Sequence, residues 1–154
     1  MIQRIQTVFL FLGALLLILL AFFPIAELLD SNHQIYSMTS IAVDRIDDAE
    51  WESAFHVYPL GLMLFVLAAG ALFSIFLFKK RVLQARIAML LMMLAIAWPA
   101  LVYFYASLVA DALNASFAVE PIVIVSLLAA LLFFMARRRI LMDEALVKSY
   151  DRLR

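Results

Sequence analysis

Four apolar runs, most of them as long as a lipid bilayer is thick, constrain this chain more than any other feature. They cover residues 7–29 (23 residues), 57–78 (22), 87–110 (24) and 121–136 (16). A helix rises ~1.5 Å per residue, so about 20 apolar residues cross a hydrocarbon core. Water offers no good alternative. Of the 154 residues 68% are hydrophobic, whereas a soluble domain is about half apolar. A globule this small has too much surface to bury the excess.

The first three runs qualify as spans by length. The fourth reaches across only if its helix begins near Ser116, so that Phe117, Ala118 and Val119 join it. Glu120 would then sit in the first turn, where the helix dipole favours a carboxylate, and Pro121 is tolerated there. The spacing predicts a span over about 116–136. The first run is longer than the apolar part of a signal peptide, and no small-x-small site follows Phe22-Phe23-Pro24, so it reads as a retained anchor.

Formal net charge is zero, but the charges are segregated. Glu27, Asp30, Asp44, Asp47, Asp48, Glu50, Glu52, Asp111 and Glu120 lie between runs one and two or three and four, with only Arg45 against them, for a net of −8. The remaining segments hold eleven Lys or Arg and three acids, for a net of +8. Basic residues flanking membrane helices stay on the cytoplasmic side. The expectation is therefore four spans with both termini inside and the acidic loops outside.

Residues 30–56 form the one sizeable aqueous loop. Asp47-Asp48-Ala49-Glu50 has the spacing of a capping box, and Trp51, Ala54 and Phe55 would share one face of a short helix running into span two. The competing reading is a hairpin that turns within 44–50. The tail, 137–154, reads as a helix with Met142, Leu146, Tyr150 and Leu153 on one face. The predicted fold is an all-α membrane protein: an up-down bundle of four transmembrane helices, a small extracytoplasmic loop cap and a C-terminal amphipathic cytoplasmic helix. It forms one domain over 1–154, with spans at about 7–29, 57–78, 87–110 and 116–136.

Candidate chemistry is sparse. There is no cysteine, so thiolate ligands and cysteine nucleophiles are excluded. His33 and His56 lack the spacing of a preformed metal site. No ionisable residue lies well inside a run, whereas ion-coupled transporters place such groups at mid-membrane. No catalytic residues, cofactor or metal are expected, and nucleic acid is not an expected partner. Surfaces remain. Trp51, Phe55, Leu146 and Tyr150 are candidate partner contacts. So are Gly70 and Ser74, a small-x-x-x-small step that serves either internal packing or a partner helix. Lys79, Lys80, Arg81, Arg137, Arg138 and Arg139 are candidate contacts for anionic lipid head groups. Trp98 and Tyr103 flank Pro99, which should kink span three, and together mark a candidate hydrophobic slot.

Several segments carry a family resemblance: Met1-Ile2-Gln3-Arg4-Ile5-Gln6, Phe23-Pro24, Tyr58-Pro59-Leu60, Lys80-Arg81-Val82-Leu83-Gln84-Ala85-Arg86, and the ending from Asp143 to Arg154. They resemble an uncharacterised family of small four-span inner-membrane proteins, a domain of unknown function typical of Bacteroidota. The resemblance implies a bacterial cytoplasmic membrane and the same topology; it implies no activity. The function expected from the residues is non-enzymatic: an accessory or scaffolding subunit of an inner-membrane complex, with membrane lipids and other membrane subunits as partners. The alternative is a small carrier or binder of a lipid, quinone or other hydrophobic molecule.

Overall fold

The computed structural model describes residues 3–31, 33–45, 53–78 and 80–151. Helix α1 (Gln3–Leu20) leads into strands β1 (Ala26–Asp30), β2 (Ile35–Met38), β3 (Ala42–Arg45) and β4 (Ser53–His56). Helices α2 (Tyr58–Phe76) and α3 (Arg81–Leu113) follow, then strand β5 (Ala115–Val119), a 3-10 turn (Pro121–Ile124) and helix α4 (Val125–Asp151). Three helical segments are long and apolar enough to cross a membrane: Tyr58–Phe76, Arg81–Leu113 and Pro121–Val147. The apolar part of α1, Ile5–Leu20, is shorter.

Helix α1 packs on α2 and α4, and α3 packs on the same two. The core they enclose is built from small residues with a few large fillers. Ala14, Ala71, Ala88, Ala95, Ala106, Ala129 and Ala136 are fully buried, as are Trp98 and Phe133. Large side chains such as Phe65, Phe73 and Phe76 point outward and are 62–77% exposed. Only 28–33% of residues in the most apolar window of each long helix are buried. Small residues inside and large apolar residues outside is the arrangement expected where lipid, not water, is the solvent. The helices are compatible with a multi-pass membrane protein.

The all-α expectation is corrected by a five-stranded antiparallel sheet, in the order β4-β3-β2-β1-β5. Each helix joins the sheet at one of its ends, so the sheet caps one end of the helical body. Ala26, Leu28, Tyr36, Met38 and Val43 are buried on its inner face, while Glu27, Leu29 and Ile35 are exposed on the outer. The β2–β3 turn rests on α2. A Cβ at Gly61 would stand 2.9 Å from the Ser40 carbonyl oxygen, and Ser40 Oγ donates to the Ala21 carbonyl at 3.2 Å.

Three predicted boundaries move. The run over 7–29 is a helix only to Leu20. Ala21, Phe22 and Phe23 close 3-10-type bonds to Ile18, Leu19 and Leu20. Pro24 then disfavours helix at the residue before it, and the rest of the run becomes β1. A buried strand is as apolar as a helix, so hydropathy does not separate them. The fourth helix does not start near Ser116. Asn114 ends α3 in the left-handed region at φ 50°, and 115–119 pairs with β1, Leu28 opposite Phe117. Pro121 holds Glu120 extended at ψ 141°, which blocks a helix through that point. At its other end α4 continues unbroken through Arg137-Arg138-Arg139.

The third change concerns the loop. The hairpin reading is the better one: β3 and β4 pair antiparallel, Ala42 opposite His56 and Val43 opposite Phe55. A helix running through Phe55 into span two is excluded by β4. The proposed capping box and Trp51 lie outside the described residues.

Candidate functional site at the basic end of the helices

At the end opposite the sheet, polar side chains from α1, α3 and α4 converge with a backbone carbonyl of α2. Helix α1 turns one face inward, carrying Gln6, Leu10, Gly13, Ala14, Leu17 and Leu20. Helix α4 does the same with Ser126, Ala129, Ala130, Phe133, Ala136, Ile140 and Asp143. Both stripes step by three or four residues, as a packed helix face requires. Each ends in a polar residue at the basic end, so Gln6 and Asp143 are carried into contact. The Gln6 side-chain amide donates to Asp143 Oδ2. Both residues are buried, at 5% and 8% exposure.

Two further contacts tie in α2 and α3. Arg81, the first residue of α3, donates from Nη1 to the Asp143 backbone carbonyl at 3.4 Å. Gln84, one turn on and buried, donates from Nε2 to the Ser74 carbonyl at 3.0 Å. The same carbonyl, in the last turn of α2, also accepts the Leu77 backbone N–H at 3.1 Å, so Gln84 adds a second bond to it. Beside this network is a cavity of ≈ 440 Å³ lined by Gln6, Thr7, Ile75, Phe76, Phe78, Arg81 and Gln84. One guanidinium, two carboxamides and a hydroxyl form its polar wall; an isoleucine and two phenylalanines form the other. The set suits an amphiphile or an anion. His33 and His56 are at the sheet end, so no imidazole accompanies the Thr7 hydroxyl as a base.

The residues singled out from sequence separate in space. Arg81 joins the cavity; Lys80, Arg138 and Arg139 are exposed and Arg137 is half-buried. Lys79 lies outside the described residues. Gly70 is half-buried and faces α3, where a Cβ would meet Leu91 Cδ2 at 3.1 Å, and Ser74 is fully buried. Leu146 is 50% exposed. Tyr150 lies in α4 and Phe55 in β4, and their side chains fall outside the described set. Trp98 is fully buried and its indole N–H donates to the Leu60 carbonyl at 3.4 Å. Tyr103 is 60% exposed and meets Phe117 of β5 edge to face, with ring centroids 5.3 Å apart. Pro99 is half-buried within α3. None of the three is among the lining residues of the two cavities described here.

An apolar cavity of ≈ 440 Å³ does exist, between α1 and α2 beneath the β2–β3 turn, with Leu17, Phe22, Ile41, Gly61, Leu64 and Ala68 among its lining residues. The sequence reading missed it, and also missed Gln6, Gln84 and Asp143. The signal for Gln6 and Asp143 was present: each is in phase with an apolar stripe and one turn from its last apolar member.

A family model described as a domain of unknown function (DUF4293) matches residues 2–153. No curated protein and no solved structure matches the chain at a significant level. The match covers nearly the whole chain, and the protein belongs to this uncharacterised DUF4293 family.

Proposed function

We propose that the protein is a non-enzymatic, four-span subunit of a bacterial inner-membrane assembly, acting as an accessory or scaffold. In this reading both termini and the basic end are cytoplasmic, and the acidic sheet is outside. The charge segregation supports the orientation, because lysine and arginine near span ends are retained inside. Helix α1, at 18 residues, is ~27 Å long and spans with little to spare.

The observation that carries the scaffold reading is the outer face of the sheet. Leu29 and Ile35, opposite each other in register, are 44% and 41% exposed, and Glu27, Ser37 and Asp44 form the adjacent row. An apolar pair beside a polar row, held on a rigid sheet, suits contact with another protein. The test is purification in mild detergent with mass spectrometry of what accompanies the protein. A partner in near-stoichiometric amount that is lost from Leu29→Asp supports the reading. A protein that runs alone defeats it.

The second reading, a binder of a hydrophobic molecule, is favoured by the apolar cavity between α1 and α2. It predicts lipid or quinone in organic extracts of the pure protein, reduced when Ala68→Leu, at another lining position, fills the cavity. An unchanged load counts against it.

A further inference from the structure

We infer that the cavity at the basic end holds the phosphate group of one anionic phospholipid, with Arg81 as its cationic partner. The inference rests on the reading of the helices as membrane spans, but not on the scaffold role. Arg81 is half-buried at the cavity wall. Its hydrogen bond among the described residues goes to a backbone carbonyl, while the nearby Asp143 carboxylate is taken by Gln6. A guanidinium has five N–H donors and binds phosphate through two at once, so most of its capacity faces no acid in these contacts.

The opposite wall is hydrophobic. Phe76 and Phe78, 77% and 50% exposed, offer a path for an acyl chain from the cavity to the lipid-facing side of α2. A volume of ≈ 440 Å³ is in the range of small-molecule sites and suits a head group with its glycerol. The depth also fits. Arg81 precedes Arg86 by five residues, ~7.5 Å along the axis, which places it in the head-group layer when 87–110 fills the hydrocarbon. Arg138 and Arg139 are exposed on α4 and have no such enclosure, so they attract anionic lipid only diffusely.

The experiment is native mass spectrometry of the delipidated, detergent-solubilised full chain. It is titrated with phosphatidylglycerol, with phosphatidylethanolamine of the same acyl chains, and with inorganic phosphate. The expected result is one phosphatidylglycerol bound in preference to the other two. Arg81→Gln should weaken it roughly tenfold, the worth of a charge-assisted contact, and Arg138→Gln by less than about twofold. If Arg81→Gln does not fold, Thr7→Glu adds a negative charge to the same wall and should produce the same loss. Equal binding of the two lipids, or equal loss in Arg138→Gln, overturns the site. Inorganic phosphate binding as tightly as the lipid overturns the lipid assignment. Failure of the membrane reading shows separately, as protein recovered from lysates without detergent.

Discussion

Gln6, in the first turn of α1, donates its side-chain amide to the carboxylate of Asp143, which lies 137 residues later in α4. Both groups are buried, so the contact links the first and last helices at the end where the chain has no sheet to hold them. A buried carboxylate that loses its donor retains its desolvation penalty, about 1–3 kcal/mol or more for a charged group. Gln6→Leu should therefore lower the unfolding temperature in detergent. The double variant Gln6→Leu/Asp143→Leu should recover part of the loss, because no polar atom is then stranded. Strict additivity of the two single effects would show that the residues are not coupled.

Gly13 allows α1 to approach α4. A Cβ there would stand 2.5 Å from Phe133 Cε1, and Phe133 is fully buried. Gly13→Ala should cost about 1–3 kcal/mol through overpacking. Gly13→Ala combined with Phe133→Leu should lose less than the sum of the two. Thermal unfolding of the three variants checks this, and an unchanged Gly13→Ala would mean that the helices separate freely.

Asn114 ends α3 at φ 50°, where a β-branched residue is strained and glycine is not. Asn114→Gly should be close to neutral, whereas Asn114→Val should cost about 1–2 kcal/mol. Detergent-unfolding midpoints distinguish the two, and equal midpoints would count against a left-handed cap.

Trp98 fills the core, so Trp98→Ala should be among the most damaging single changes, about 3–5 kcal/mol. Trp98→Phe keeps most of the volume and loses the bond to Leu60, for a smaller effect. Tyr103→Ala, at an exposed position, should cost far less than either variant. A Trp98→Ala protein as stable as the parent would contradict the packing seen here.

The chain contains no cysteine, so single cysteines report sidedness cleanly. Ser116→Cys at the sheet end and Arg139→Cys at the basic end are both exposed positions. A membrane-impermeant maleimide applied to intact spheroplasts should label the first and spare the second. Labelling in the reverse pattern would invert the proposed orientation.

Local chemistry settles much of this protein. The runs that became α2 and α3 are interrupted by nothing that a helix cannot tolerate, apart from Pro99, which α3 accommodates. Their positions follow from hydropathy and from the basic turn between them. The opposition of acidic and basic ends likewise needs only residue order, since each connection falls at the end that the helix before it reaches.

What residue order did not decide is where the first and fourth runs stop being helix. Residues 26–30 and 115–119 are apolar enough for either state, and their strand form depends on pairing Leu28 with Phe117, 89 residues away. Such a pair exists only once the helices that carry both segments to one end have packed. The polar network at the other end depends on the same packing. Gln6 and Asp143 are in phase with their helix faces by sequence, but that those faces meet is decided by how α1 lies against α4. Hydropathy and charge act along the chain and could be read from it; strand pairing and helix contact act across it, and only the tertiary structure brings the partners together.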